Sequence, residues 1–401
     1  MYTGIIQGVH WEPTDKCNSR CPMCPRYVSG VEIPTLANTE WTLEQFQKSW
    51  PERFIKELRK ILSCGNFGDP CVCKDFANIY EYVRLTNPKI QLCCNTNGSM
   101  RNPDWWYKLG LQMRNHGLDY CTFSLDGLED TNHLYRRGTI WSKIMENVKA
   151  YISAGGIAHW DFIVFEHNQH QVEEARQLAK SMGFENFNVK RTTRWMEYSE
   201  DTQQGRYPVF DHRGEFQYFL KQPNESKFKP NFEDAKIFIE NSKYQSITLD
   251  DFKNMKGRKN YDQRYVHGEW KSIETNELTI ACRAQAKSRW DVPWNEIYIS
   301  ADGTVAPCCY LGSEPFVDST KRGVDTNYLT MIELNGGVDT LNMHKHNIYD
   351  ILETPIFRHY LPMSWDENRS MMPQKCGACC GVEFNGLDFG ELGEKHKGKL
   401  T

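Results

Sequence analysis

From residue 5 to about 191, short apolar runs alternate with helix-length amphipathic stretches. The runs Ile5–Glu12, Ile61–Phe67, Ile90–Asn95, Asp119–Leu125, Ile157–Phe165 and Glu185–Lys190 are mostly rich in β-branched, aromatic or cysteine residues and predict strands. Between them, Leu43–Arg59, Asp75–Leu85, Asp104–Asn115, Trp141–Ser153 and Val172–Met182 predict helices. Thr42 ahead of Glu44 reads as a helix start, and Asn102-Pro103-Asp104 reads as an N-cap followed by proline in the first turn. Pro51 interrupts the first helix and predicts a break there. Six strands alternating with helices predict parallel strands joined by right-handed crossovers, as an open doubly wound sheet or a partial barrel. In both, functional residues gather at the carboxyl ends of the strands.

After Arg191 the alternation stops. Residues 195–280 are polar and aromatic and read as a connecting lobe, with 1–194 as the core before it. A cysteine-bearing module follows over 281–390, and 391–401 reads as a frayed tail.

Composition narrows the class. The chain has 401 residues, of which 39% are hydrophobic and 25% charged, enough apolar material for a buried core. A net charge of −4 gives no single-sign field for nucleic acid or an anionic membrane. No segment approaches the roughly 20 apolar residues of a membrane span, and the N-terminus lacks a signal-peptide pattern. A cytoplasmic location is expected. Fifteen cysteines in a reducing compartment argue for metal or redox chemistry over disulfides. Some will act only as small buried hydrophobes.

Cys17, Cys21 and Cys24 form CxxxCxxC in a loop just after the first predicted strand. At this cysteine frequency, about 0.02 such triplets arise by chance in 401 residues. Three thiolates on a four-iron cubane leave one iron open, and an open metal position signals catalysis. A structural zinc site with a fourth ligand such as His10 is the alternative.

The triplet matches the signature of the radical S-adenosylmethionine (SAM) superfamily, and the resemblance extends over roughly residues 5–191. Cys64-Gly65-Asn66-Phe67-Gly68-Asp69-Pro70 resembles that family's GGEP motif, with Gly68, Asp69 and Pro70 in its last three places; the motif implies a seat for the SAM amino group. Asn95-Thr96-Asn97-Gly98 ends the third strand. Ser124-Leu125-Asp126-Gly127 ends the fourth and resembles the SxDG of members with auxiliary clusters. By this resemblance Ser124 meets the SAM carboxylate or ribose, while Arg136 or Arg137 pairs with the carboxylate. Asn97, Asp126, Arg137 and Asn168 join Gly68, Asp69 and Ser124 as expected SAM-binding residues. Met23 stands where the family often has an aromatic residue near adenine. The fold implied is a partial (β/α)6 TIM-like barrel.

The second cysteine set is C-terminal. Glu296–Cys308 predicts a β-hairpin turning at Asp302-Gly303, followed by Cys308 and Cys309; Cys376, Cys379 and Cys380 come later. This resembles the SPASM/twitch module in its shorter form, with one auxiliary [4Fe–4S] cluster on Cys282, Cys308, Cys376 and Cys379. Cys309 and Cys380 are adjacent alternates. The spacing from Cys282 to Gly303 exceeds the family's usual range. Four cysteines also suit structural zinc. Cys64, Cys71, Cys73, Cys93, Cys94 and Cys121 read chiefly as core residues, and neighbours such as Cys93 and Cys94 must face opposite sides of a strand. One of them donating hydrogen to a substrate radical is the minority reading.

The resemblance implies an enzyme that reductively cleaves SAM at a [4Fe–4S] cluster and abstracts hydrogen with the resulting 5′-deoxyadenosyl radical. Its partners would be a small-molecule substrate of sugar or aminocyclitol type, or a peptide, and an electron donor such as flavodoxin or ferredoxin. The triplet starting at residue 17 leans towards a small substrate. A non-catalytic zinc or iron–sulfur protein with a structural or nucleic-acid role is the competing class; the near-neutral charge disfavours nucleic acid.

Overall fold

The computed structural model describes residues 6–114, 118–192, 194–196, 205–229, 282, 284, 295–316, 325–366, 371–373, 375–376 and 380. Its described residues fall into two compact units. The first comprises 11–46 and 59–229; the second comprises 6–10, 47–58 and the described stretches from 282 onward.

Elements are numbered along the chain: β1 Gly8–Trp11, β2 Tyr27–Val28, β3 Val31–Glu32, β4 Lys60–Ser63, β5 Gln91–Thr96, β6 Tyr120–Ser124, β7 Ala158–Ile163 and β8 Asn186–Lys190. The helices are α1 Leu43–Ser49, α2 Glu52–Glu57, α3 Phe76–Thr86, α4 Pro103–Met113, α5 Asn132–Tyr135, α6 Trp141–Ser153 and α7 Val172–Met182. In the first unit β4, β5, β6, β7 and β8 pair in that order, all parallel. Trp11, ending β1, lies alongside β4, its carbonyl accepting from Cys64 N–H at 3.2 Å. This is the strand–helix alternation of a partial TIM-like barrel.

The helices form where the sequence signals them. Asn102 caps α4 by accepting from Trp105 N–H at 3.0 Å, with Pro103 in the first turn. Pro51 divides α1 from α2, as its ring requires. Gly183, at φ 90°, ends α7 and donates back to Ala179 and Lys180. One face of the sheet is sealed by these helices: Phe123 packs on Trp106 of α4 and Tyr151 of α6, and Trp160 packs on Phe184. Each such ring contributes about 1.5–3 kcal/mol by leaving water. Gly110 admits the close approach of α4 to α6, since a Cβ there would stand 2.6 Å from the Tyr151 carbonyl.

The opposite face, turned into the barrel, is polar. Lys60 reaches the Tyr120 hydroxyl, Tyr120 stacks on His159, and His159 bonds Asn186. One level up, Asp161 takes Asn188 Nδ2 at 2.9 Å and Lys190 Nζ at 2.6 Å.

Two strands end sooner than their apolar runs. β4 stops at Ser63 because Phe67 and Gly68 give their N–H groups to the Glu12 carboxylate. β7 stops at Ile163; further on, Phe165 N–H is taken by the Asn168 side chain. The segment read as a connecting lobe is partly a hairpin, β9 Arg206–Phe210 and β10 Phe216–Lys221, which joins the first unit through Tyr218 O–H on the Leu134 carbonyl and Glu166 N–H on Lys221. The rest of 195–280 lies mostly outside the described residues, as does the 391–401 tail.

The second unit contains the expected hairpin, β11 Glu296–Ile299 with β12 Val305–Ala306. Gly303 sits at φ 89°, and Ser300 and Asp302 close the turn on Thr304 N–H. Tyr298, Tyr328, Met331, Ile351 and Phe357 are buried in its core. Among the described residues, no helix is long and apolar enough to cross a membrane.

Candidate active site and auxiliary cysteine site

The loop carrying Cys17, Cys21 and Cys24 leaves the carboxyl end of β1. Arg26 pins it: Nη1 donates to the Asp15 carbonyl, and Nη2 reaches Glu32 at 2.7 Å and Asn38 at 2.8 Å. Cys24 N–H returns to the Cys21 carbonyl and Tyr27 N–H to the Cys24 carbonyl, each at 3.0 Å. Donors converge on the sulfurs. Ser19 N–H points at Cys17 Sγ from 3.4 Å, and Asn97 Nδ2 lies 4.0 Å from it. Cys21 Sγ has Arg136 Nη1 at 3.6 Å and lies 3.1 Å from Ser19 Oγ, whose hydroxyl donates to the Arg137 carbonyl at 3.2 Å.

Burial, then the Asp69 and Cys21 charges, push the Cys17 thiol well above its ordinary range; burial and Cys21 raise Cys24. Thiolates so placed need a cationic partner, and bound metal supplies one. Among the described residues, no three His, Cys, Asp or Glu side chains close to the spacing of one metal ion. His10, offered above as a zinc ligand, sets its ring edge-on to Tyr298 within the second unit.

Asp69 is the hub of the next turn. Its carboxylate, 5% exposed, accepts from Cys71 N–H at 3.0 Å, Asn97 N–H at 2.7 Å and the Thr96 hydroxyl at 2.8 Å. Burial still holds its carboxyl above the usual range against those donors. Asp69 therefore ties the β4 turn to the end of β5. Gly68 is fixed by backbone contact: a Cβ would fall 1.8 Å from the Thr14 carbonyl oxygen. Asn97 also donates to Asn18 at 2.9 Å, which brings the end of β5 to the cluster loop.

Asp126 is fully buried, and burial raises its carboxyl despite Arg136. It accepts from Arg136 Nε at 2.5 Å and Ile163 N–H at 2.6 Å. Asn168, also fully buried, accepts from Phe165 N–H and donates to the carbonyls of Asp126 and Ile163, both at 2.9 Å. Asp69, Asp126 and Asn168 are thus engaged as loop organisers. Arg137 spends Nη1 on the Phe210 carbonyl at 2.6 Å and lies over the Tyr218 ring. Ser124 ends β6 on the barrel's inner face, level with Asp161 in the register. Met23 is buried, and its carbonyl accepts from Arg194 Nη1 at 2.6 Å. Sequence reasoning missed the roles of Arg136 on Cys21 and of Arg194; neither residue stands in a motif.

The remaining cysteines split by strand parity. Cys94 faces the helices, in hydrogen-bond contact with Cys71 and Cys121. Cys93 faces inward beside Tyr120 and Lys60. Cys64 lies near Asn95, Glu12 and Lys190, and burial pushes its thiol up to about 11.

In the second unit Cys282, Cys308, Cys376 and Cys380 line one small pocket, walled by Trp365 and Leu361. Burial pushes Cys308 up to about 12; contact with Cys380, then burial, raises Cys282. Cys379 lies outside the described residues. Cys309 begins a short helix after Cys308 and does not line this pocket.

The sequence matches the family model described as "Radical SAM superfamily" over residues 11–179 and the SPASM model, "Iron-sulfur cluster-binding domain", over 291–380. Cys282 falls just outside the second span. No curated protein matches. Among solved structures, SuiB from Streptococcus suis bound to S-adenosylmethionine is 13% identical, covering 76% of this chain and 60% of its own, with a TM-score of 0.41. This chain therefore spans about 60% of the SuiB length. anSMEcpe with bound AdoMet and Cp18Cys peptide is 14% identical over 90% and 84%, at a TM-score of 0.49. BtrN in complex with AdoMet and 2-DOIA is 11% identical over 93% and 92%, at 0.38. The two family models bring with them a [4Fe–4S] cluster, SAM and an auxiliary iron–sulfur cluster. By its cysteine triplet, its strand-end motifs and both model matches, the chain belongs to the radical SAM superfamily and carries a C-terminal SPASM module.

Proposed function

We propose that the chain cleaves SAM reductively at a cluster on Cys17, Cys21 and Cys24, and abstracts hydrogen from a polar substrate inside the barrel. The convergence of donors on Cys17 and Cys21 at the strand ends carries this reading. When bound, the cluster supplies the electron that breaks the SAM sulfonium bond. The protein's residues bind, orient and exclude water. Ser124 offers the hydroxyl for the SAM carboxylate or ribose. Met23 supplies apolar surface for adenine. Asp69 and Asn168 hold the turns from which backbone groups meet SAM.

The substrate reading is a sugar or aminocyclitol-type small molecule, or a peptide. The inner wall of Asp161, Asn188 and Lys190 favours a substrate carrying hydroxyl, amino or amide groups. Reduced flavodoxin or ferredoxin is the electron source we assign. For the auxiliary cluster we assign Cys282, Cys308 and Cys376, and propose as the fourth ligand Cys380, which lines the same pocket.

Anaerobic reconstitution tests the reading. The expected product is a brown protein with iron for two [4Fe–4S] clusters, forming 5′-deoxyadenosine from SAM under reduction. Cys24→Ala should abolish that product. A colourless zinc protein obtained under the same conditions would refute the proposal.

A further inference from the structure

Arg136 connects a buried carboxylate to a cluster-binding sulfur. Its Nε donates to Asp126 Oδ2 at 2.5 Å, and its Nη1 points at Cys21 Sγ from 3.6 Å. The Arg136 side chain is 17% exposed and that of Asp126 is fully buried. The Tyr135 ring lies beneath the guanidinium, 5.4 Å from its carbon. Asp126 is itself fixed by Ile163 N–H on its other oxygen and by Asn132, which accepts from its backbone. The guanidinium therefore has little freedom to leave the sulfur. Cys17, by contrast, receives neutral donors, Ser19 N–H and Asn97 Nδ2.

A one-electron reduction places one more negative charge on an iron–sulfur cluster and its ligand sulfurs. Hydrogen bonds to sulfur and nearby positive charge stabilise that form and raise the potential. A fixed cation in a site screened from water acts more strongly than a mobile surface charge.

We propose that Arg136 is a positioning residue for the reductive step, raising the potential of the Cys17/Cys21/Cys24 cluster through its hydrogen bond to Cys21. The inference rests on the cluster reading proposed above. The electron enters from reduced flavodoxin or ferredoxin, which is oxidised by one electron; no bond is made or broken in this step. Asp126 serves as the anchor that keeps Arg136 on the sulfur.

The test is an EPR-monitored redox titration of the full chain, reconstituted anaerobically and without SAM. A Cys17→Ala, Cys21→Ala, Cys24→Ala triple variant reports the auxiliary cluster's own signal, to be subtracted. Removing Arg136 alone strands a buried carboxylate, so the main variant is the double substitution Asp126→Asn, Arg136→Gln, a neutral pair of similar shape. Because this variant also removes the Asp126 charge, Asp126→Asn alone is the reference, and at that reference's midpoint the double variant should be at least tenfold more oxidised, a shift of 59 mV to more negative potential for one electron. Arg136→Lys keeps the charge but loses the fork, and should shift the same way by less. If the double variant does not fold by circular dichroism, Arg136→Lys carries the test. An unchanged midpoint at full iron content would overturn the proposal. Loss of iron from folded variants would also overturn it, assigning Arg136 to cluster retention instead. A wild-type chain that takes up no cluster at the triplet would sink the underlying reading, an outcome visible before any variant is made.

Discussion

Gly68→Ala puts one methyl group where the cluster loop has no room. The added Cβ would stand 1.8 Å from the Thr14 carbonyl oxygen, 2.7 Å from its carbon and 2.9 Å from the Asp15 Cα. All three are backbone atoms, so no side chain can swing aside. Relief requires the 14–16 segment to move away from the β4 turn. That movement breaks the Asp69 N–H bond to the Lys16 carbonyl, 2.9 Å in the intact chain, and strains the Gly68 N–H bond to Glu12. Overpacking a tight site costs about 1–3 kcal/mol, and each of the two hydrogen bonds about 1 kcal/mol more. The expected loss is about 3–5 kcal/mol. Cys17 follows Lys16 directly, so cluster uptake should fall with stability. Gly155→Ala is the control. Gly155 is at φ 89°, but its nearest atoms to an added Cβ are 3.6 Å away. There only the backbone conformation is strained, at about 1–2 kcal/mol. Urea unfolding of the apo chain, followed by circular dichroism, measures both, and iron analysis after reconstitution reads the loop. Gly68→Ala with the stability of Gly155→Ala and full iron content would refute the reasoning, since it would mean the loop and turn do not meet.

Two further outcomes are expected. Burial, then His133, holds His167 at about 4, and its ring stacks on Phe165 with Nε2 unbonded. A folded-state value below the ordinary 6.5 means that stability from neutral His167 is present above about 6.5 and is lost as pH falls towards 4. His167→Phe should flatten the urea midpoint across pH 4–7, and an equally steep variant would remove His167 as the cause. Cys380→Ser should cost the chain one cluster's worth of iron, while Cys379→Ser should leave the content near wild type; the reverse pattern in iron and sulfide assays would return the ligand to Cys379.

Most of the barrel was legible in the sequence because periodicity and punctuation agree. Trp141–Ser153 and Val172–Met182 match their predicted helices at both ends, and Pro51 divides α1 from α2. Strand ends were less legible. A side chain distant in sequence can claim the N–H that a ladder would use, as Glu12 does at Phe67 and Gly68. The hairpin β9–β10 was hidden in a stretch whose aromatics follow no clean alternation.

The site divides along the same line. Chemistry carried by local spacing was readable: the triplet after β1, the Gly68-Asp69-Pro70 turn, Ser124 at a strand end, and the cysteine after the Asp302-Gly303 hairpin. Orientation was not, because it depends on which partners the fold delivers. Asp69 and Asn168 spend their polar atoms on loop backbone. The guanidinium of Arg136 rather than that of Arg137 meets the cluster sulfurs, since the Arg137 side chain is drawn to Phe210. Strand parity sends Cys93 inward and Cys94 towards the helices, while the fold of the second unit brings Cys380 into one pocket with Cys376. The sequence by itself determined which atoms can hold a cluster, because thiolate spacing in a short loop is a local property. Only the tertiary structure decided which distant charges and donors surround those atoms, because Asn97 comes from 80 residues beyond Cys17 and Arg136 from 115 beyond Cys21.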